Sequence, residues 1–178
     1  MNNCIKISGT ILFDPDNVTN KHERQGEWKK VAVVLIPGDI HLYYSWFIKK
    51  RYNLPLNPPL RGAHVTFIND RAKDMNGKWD EVKKKWNGRQ IDIILDVDPR
   101  SDGLNWWFNV PNECRDELHH MRKELGLDRP FFGLHMTLGT AVNSYPRIDG
   151  GINAQRAMGM NEEHSMYILN LIKNGYSN

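Results

Sequence analysis

Short segments of alternating apolar and polar residues, and short runs of apolar residues, recur along the whole chain. A period of two is typical of a strand with one buried face, and brief apolar runs bounded by turn residues are typical of buried strands. On this basis seven strands are predicted, at residues 5–12, 30–36, 63–68, 90–97, 105–110, 133–138 and 166–172. A sheet is therefore expected to dominate the fold.

A helical period appears in three other segments and predicts helices at residues 39–52, 78–86 and 112–125. Gly126 directly follows the last of these, and glycine is a typical residue at a helix C-terminus. Two polar segments without a strong period, residues 14–26 and 144–163, are predicted to be long surface loops, which often carry function. Strands and helices together predict an α+β fold.

These elements form an internal repeat. Two segments share the order strand, proline, acidic turn, helix, loop and a strand that carries His-x-Thr. Pro37 precedes His64 by 27 residues, and Pro111 precedes His135 by 24. A solenoid would need three or more copies. We therefore expect one domain over residues 1–178 with two pseudo-symmetric lobes, at about 28–97 and 104–173, related by an approximate two-fold axis.

Composition narrows the class of protein. The chain has 178 residues, of which 40% are hydrophobic and 25% charged, as is usual for a soluble globular domain. No apolar run is long enough to span a bilayer, and the first residues do not form a signal peptide, so a cytoplasmic location is expected. The net charge of +3 is too small to predict binding to duplex nucleic acid, but it suits a small anionic ligand. Cys4 and Cys114 are expected to be free thiols.

The repeated His-x-Thr strands carry the candidate chemistry. Side chains at i and i+2 of a strand point to the same face, so His64 neighbours Thr66, and His135 neighbours Thr137. If the two lobes face each other, two imidazoles and two hydroxyls converge on one cleft. A neutral histidine can then take a proton from the attacking hydroxyl while a protonated one gives a proton to the leaving oxygen, and the threonines bind the phosphate oxygens. This set predicts phosphodiester cleavage.

Two other interpretations of the histidines have to be weighed. A single His-x-Thr in a strand is common by chance, but two copies that end equivalent units are not. A zinc site usually draws three or four ligands, and neither HExxH nor CxxC accompanies the two motifs. His119 and His120 are adjacent on a predicted helix, so they face different directions. We therefore expect no metal and no other cofactor.

The segments HVTF at 64–67 and HMTL at 135–138 resemble the two H-x-[ST]-hydrophobic motifs of the 2H phosphoesterase superfamily. The order of elements is similar from Trp28 onward. The resemblance implies two pseudo-symmetric lobes whose antiparallel sheets line a central cleft, with helices outside. It also implies metal-free cleavage of cyclic phosphates or ribose-linked phosphodiesters by the four motif residues.

Within this superfamily, the small size, the interval of 71 residues between the histidines and the polar C-terminal segment are similar to the bacteriophage anti-CBASS enzymes. Those enzymes degrade cyclic di- and trinucleotide immune signals such as 3′,3′-cGAMP, which would place this chain in the host cytoplasm if its source is viral. The resemblance implies that a glutamate after the second motif assists proton transfer. Glu163 matches by spacing, and adjacent Glu162 is the alternative.

Further side chains are candidates for binding a nucleotide. Trp106 and Trp107 are adjacent on a predicted strand, so one faces opposite to the other, and either could stack on a base or pack in the core. Arg61, beside the first motif, and Arg147 and Arg156, in the predicted C-terminal loop, could contact phosphate.

Three functions follow from these observations. The first is hydrolysis of cyclic oligonucleotide signals to evade CBASS defence. The second is opening of 2′,3′-cyclic phosphates in RNA processing, which would favour a wider basic groove than the small net charge suggests. The third is a non-catalytic nucleotide-binding module, against which the two intact histidines argue, because a binder needs no paired acid and base. Base preference and oligomeric state are not indicated by the sequence.

Overall fold

The computed structural model describes residues 4–15, 29–59, 62–70, 75, 77–112, 115–130 and 133–141. Within these ranges the fold is mixed α+β, as predicted. Its elements in chain order are β1 (Cys4–Phe13), β2 (Ala32–Leu35), α1 (Ile40–Tyr52), β3 (Leu56–Asn57), β4 (His64–Ile68), α2 (Trp79–Trp86), β5 (Gln90–Ser101), β6 (Asn105–Asn109), α3 (Asp116–Glu124) and β7 (His135–Ala141).

The strands are hydrogen-bonded in the order β3-β7-β4-β2-β1-β5-β6, and β6 also pairs with β7. Because of this additional pairing, six strands form a closed ring of hydrogen-bonded neighbours in the order β7-β4-β2-β1-β5-β6. The pairings β1–β2, β1–β5, β2–β4, β3–β7 and β4–β7 are all antiparallel. The sheet therefore places β4 and β7, the two strands that carry the His-x-Thr motifs, side by side.

The chain divides into two compact units that interleave along the sequence. The first comprises Met1–Gly38, Leu60–Asp98 and Phe108–Met136, and the second comprises Asp39–Pro59, Pro99–Trp107 and Thr137–Asn178. In the first unit the core is apolar and aromatic. Phe13 meets the ring of Phe67 edge-on at 6.2 Å and the ring of Trp79 at 5.0 Å between centroids. These contacts pack α2 and β4 against β1.

A buried arginine ties α3 to the end of β4 in the first unit. Arg122 is 1% exposed. Its Nε donates to the Asp128 carbonyl oxygen at 2.7 Å, and its Nη1 donates to the Phe67 carbonyl oxygen and to Asp70 Oδ2, both at 2.7 Å. A buried charge is tolerated when it is paired and hydrogen-bonded. These bonds hold the backbone immediately after Thr66.

In the second unit, α1 packs near β7 and β3. Ser45 Oγ of α1 donates to the Leu138 carbonyl oxygen at 3.0 Å. Pairing of β3 with β7 requires a glycine at residue 139, because a Cβ there would lie 2.5 Å from the Asn57 carbonyl oxygen. The ring of Tyr52 lies 5.7 Å from that of Trp106. Trp106 is 2% exposed and belongs to the core.

The predicted elements within the described ranges are all present, but several of their boundaries differ and one short strand was not predicted. The last helix begins at Asp116 and not at 112, where its first-turn carboxylates, Asp116 and Glu117, suit the helix dipole. The strand predicted at 90–97 continues through Pro99 to Ser101. The two-residue strand β3 was not predicted, because two residues show no period. The strand predicted at 166–172, the loop predicted at 144–163 and most of the loop predicted at 14–26 lie outside the described residues.

Candidate active site

β4 holds His64 and Thr66 on one face of the sheet. Burial alternates along the strand: Val65 and Phe67 are at most 1% exposed, whereas His64 and Thr66 are half-buried. The buried pair anchors the strand in the core of the first unit. The histidine and the threonine are thereby presented together on the opposite face, as predicted from the period of two.

The same arrangement recurs on β7. Met136 is fully buried, and its neighbours His135 and Thr137 are half-buried. The boundary between the two units falls between Met136 and Thr137. His135 therefore belongs to the first unit together with His64 and Thr66, and Thr137 follows it on the same face of the strand.

Both imidazole rings are oriented in the same way. His64 Nδ1 lies 2.9 Å from the Gly62 carbonyl oxygen, and His135 Nδ1 lies 3.0 Å from the Gly133 carbonyl oxygen. A carbonyl oxygen can only accept, so Nδ1 carries the proton in both rings and Nε2 is the nitrogen that gains or loses one. Each bond reaches back two residues. The repeat therefore extends to Gly-x-His-x-Thr, and the glycine carbonyl sets the tautomer.

Gly62 has a conformational requirement of its own. Its φ is 71°, in the left-handed region that glycine adopts readily and other residues rarely do. This turn aims the Gly62 carbonyl oxygen back at the ring of His64. A side chain at residue 62 would strain the turn that fixes the imidazole.

The strand register brings the two histidines close together. Val65 pairs with Met136 in the antiparallel ladder, so Thr66 lies opposite His135 and His64 is the diagonal neighbour of His135 on the same face. Directly opposite residues have Cβ atoms about 5 Å apart, and diagonal neighbours are about 7–8 Å apart. A tetrahedral phosphate fits between two imidazoles at this spacing. Within the first unit, β4 and β7 thus supply two imidazoles and one hydroxyl to a single patch.

The electrostatic surroundings of His135 favour its neutral form. Burial lowers its pKa, the Gly133 carbonyl opposes this by accepting a hydrogen bond from Nδ1–H, and the positive charge of Arg115 lowers the pKa further. Arg115 immediately precedes α3, and its Nε donates to the Val110 carbonyl oxygen at 2.6 Å. Sequence reasoning did not single out Arg115, because it is 20 residues from His135 along the chain.

The tryptophan pair alternates on β6 as expected. Trp106 is 2% exposed, whereas Trp107 is half-buried on the other face of the strand. Burial therefore favours Trp107 over Trp106 as a residue that could stack on a base. The remaining candidates, Glu163 and Glu162 for proton transfer and Arg61, Arg147 and Arg156 for phosphate binding, lie outside the described residues.

Exposed aromatic side chains on α1 were not anticipated. Tyr43 is 58% exposed and Trp46 is 55% exposed, with their ring centroids 6.1 Å apart. The apolar residues of this segment predict a helix, but they do not reveal that one side of it stays in contact with solvent.

The arrangement of the described side chains and helices is informative about metals and membranes. In the described part of the chain, no group of three or more His, Cys, Asp or Glu side chains is arranged to hold a metal ion. None of the helices found there is both long and apolar enough to cross a bilayer. In comparisons with known proteins, no family model, curated protein or solved structure matches this chain.

Proposed function

We propose that this protein is a metal-independent phosphodiesterase of the 2H type. The observation that carries the proposal is the duplicated Gly-x-His-x-Thr unit on adjacent strands, with the same Nδ1-to-carbonyl hydrogen bond in each copy. A structural histidine has no need of a partner with identical orientation on the neighbouring strand. General acid-base chemistry at one phosphate needs such a pair.

The reaction follows from the two Nε2 atoms. One neutral imidazole takes the proton of the attacking hydroxyl as its oxygen bonds to phosphorus. The other imidazole, protonated at Nε2, gives its proton to the leaving oxygen as that oxygen's bond to phosphorus breaks. Thr66 and Thr137 donate hydrogen bonds to the non-bridging oxygens, where negative charge develops in the transition state. Acid-base catalysis of this kind contributes about 10²- to 10⁴-fold in rate.

The substrates in this proposal are cyclic di- and trinucleotides such as 3′,3′-cGAMP, and the biological role is evasion of CBASS defence. The similarity of the motifs and their spacing to the anti-CBASS enzymes supports this choice, and the net charge of +3 suits a small anion. The two copies of the repeat form pseudo-symmetric lobes in this proposal. Glu163, or Glu162, assists proton transfer, and Trp107 stacks on a base.

A substrate panel tests the proposal. The purified protein is incubated in excess EDTA with cyclic dinucleotides, cyclic trinucleotides and an RNA that ends in a 2′,3′-cyclic phosphate, and the products are separated by chromatography. We expect the cyclic oligonucleotides to be cleaved, because two imidazoles supply both acid and base without a metal. Preferred cleavage of the RNA end would favour RNA processing, and binding without turnover would favour a nucleotide-binding module.

Two variants assign the site. His64→Ala and His135→Ala should each lose about 100-fold or more in kcat/KM while they remain folded, because both rings are half-buried on the face opposite the core residues Val65 and Met136. His120→Ala is the matched control: it also removes an imidazole, but one on the surface of α3 beside Glu124. Near-normal turnover in either motif variant, or loss of activity in EDTA that zinc or manganese restores, would contradict the mechanism.

A further inference from the structure

Arg115 is fixed beside the second histidine by the backbone of the first unit. Its Nε donates to the Val110 carbonyl oxygen at 2.6 Å, and Nη2 donates to the same oxygen. The Val110 amide in turn donates to the Leu134 carbonyl oxygen at 2.9 Å. The Arg115 guanidinium is therefore hydrogen-bonded to Val110, and Val110 is hydrogen-bonded to Leu134, the residue before His135.

The guanidinium also lies against Gly133. A Cβ built on Gly133 would be 3.6 Å from Nη2 of Arg115 and 4.0 Å from its Nη1. The carbonyl oxygen of Gly133 is the acceptor for His135 Nδ1. The permanent cation thus lies beside the same short segment that orients the imidazole.

The first copy of the repeat has a different residue at this position. Arg115 is four residues after Pro111, and the residue four after Pro37 is His41. His41 is buried, and burial lowers its pKa, so its neutral form is favoured. The repeat therefore supplies a permanent cation in its second copy and none at the matching position of its first copy.

We infer that Arg115 is a positioning residue that acts together with burial of the ring to keep His135 neutral, which makes His135 the general base and His64 the general acid. This inference rests on the proposed phosphodiesterase function. The positive charge of the Arg115 guanidinium disfavours another positive charge nearby, so the ring of His135 is kept neutral. A neutral ring is the form that can accept a proton. Burial of the ring lowers the pKa of His135 most, and the positive charge of Arg115 works in the same direction.

The proton transfers then have a direction. His135 Nε2 takes the proton of the attacking hydroxyl while the new oxygen-phosphorus bond forms. His64 Nε2 gives its proton to the leaving oxygen while the old oxygen-phosphorus bond breaks. His135 then gives its extra proton to solvent and His64 takes a proton from solvent, so that both rings return to their starting states.

A sulfur-bridged substrate separates the acid from the base. In a cyclic dinucleotide whose bridging 5′-oxygen is replaced by sulfur, the leaving thiolate needs little protonation, because thiols have a far lower pKa than alcohols. His64→Ala should lose about 100-fold or more on the oxygen substrate but about tenfold or less on the sulfur substrate. His135→Ala should lose about 100-fold or more on both, because its substrate hydroxyl still has to be deprotonated.

The outcomes distinguish this inference from the proposed function. If the wild type cleaves neither substrate, the proposed activity on cyclic dinucleotides is wrong, and the inference that rests on it is overturned as well. If the wild type cleaves both substrates, two results overturn the assignment of base and acid while the proposed function stands. One is a small loss of rate for His135→Ala on the sulfur substrate, and the other is a large loss for both variants on it.

Variants of Arg115 test its part directly. In Arg115→Gln, the acid limb of the kcat/KM profile should move to higher pH, because His135 loses a neighbouring cation and holds its proton more tightly. Arg115→Lys keeps the charge and should restore part of the shift. Lys123→Gln, which removes an exposed cation from α3, should leave the acid limb at the pH of the wild type. An equal loss of rate at every pH would show a structural role only and overturn the inference.

The titration of His135 gives a readout that does not depend on activity. The imidazole proton signals are followed by NMR against pH in the wild type and in Arg115→Gln, with the His135 signal assigned by its absence from His135→Ala. We expect the His135 midpoint to rise in Arg115→Gln. An unchanged His135 midpoint in a folded variant would contradict the role of Arg115.

Discussion

Replacing Arg122 with methionine should destabilise the protein strongly, because this side chain is 1% exposed and binds the end of β4. The change leaves the Asp70 carboxylate without the Nη1 donor at 2.7 Å, and it leaves the Phe67 and Asp128 carbonyl oxygens without theirs. Removing one partner of a buried ion pair costs about 3–5 kcal/mol. The Asp70 side chain is 20% exposed and can be partly hydrated, so we expect the lower end, about 3 kcal/mol.

This magnitude can be measured by urea unfolding with tryptophan fluorescence and by thermal unfolding. At about 2–4 °C per kcal/mol for a chain of this length, Tm should fall by about 9 °C. The double variant Arg122→Met/Asp70→Asn should lose less than the sum of its single variants, because it also removes the carboxylate charge that has lost its arginine. Arg129→Met, an exposed arginine after the same helix, is the control. A loss below about 1 kcal/mol, or strict additivity, would refute the account of this ion pair.

Three further predictions concern individual side chains. Thr66→Val should lower kcat about 10- to 100-fold with little change in KM, because in the proposed mechanism its hydroxyl stabilises charge that develops in the transition state. Thr10→Val, which removes a hydroxyl from β1, should leave kcat unchanged. Trp107→Ala should raise KM while Trp106→Ala, which empties a core position, should chiefly lower Tm; the reverse would exclude Trp107 from binding. Burial lowers the pKa of His41 and His135, so on acidification these histidines bind protons in the unfolded chain before they do in the folded one. The free energy of unfolding should therefore fall as the pH drops below about 6.5, and a rise there would contradict this.

Period alone predicted where the motif residues would face. The alternation of buried Val65 and Met136 with half-buried histidines and threonines follows directly from the two-residue repeat of a strand. The sequence could not predict that β4 and β7 are neighbours in the sheet. That pairing depends on long-range contacts, and it is the register of Val65 with Met136 that makes His64 and His135 diagonal neighbours.

The features that the sequence did not reveal depend on hydrogen bonds that only the folded chain forms. Arg115 and Arg122 are four and eleven residues from Pro111, in a segment whose period indicates only a helix. Their roles depend on the carbonyl groups of Val110 and Phe67 and on the carboxylate of Asp70, and hydropathy does not encode such contacts. In the same way, an apolar pattern predicted α1 but not the exposure of Trp46.

The pH dependence of kcat/KM on a cyclic dinucleotide, measured in excess EDTA between about pH 5 and pH 10, tests the two-histidine mechanism most directly. A working base must be neutral and its partner acid protonated, so only part of the enzyme is competent at any pH. The two-histidine mechanism predicts a bell-shaped profile with a maximum near neutrality, whose two apparent pKa values belong to the coupled pair of histidines. A steady rise in kcat/KM up to pH 10, with chemistry shown to be rate-limiting, would point to hydroxide as the base and exclude this mechanism.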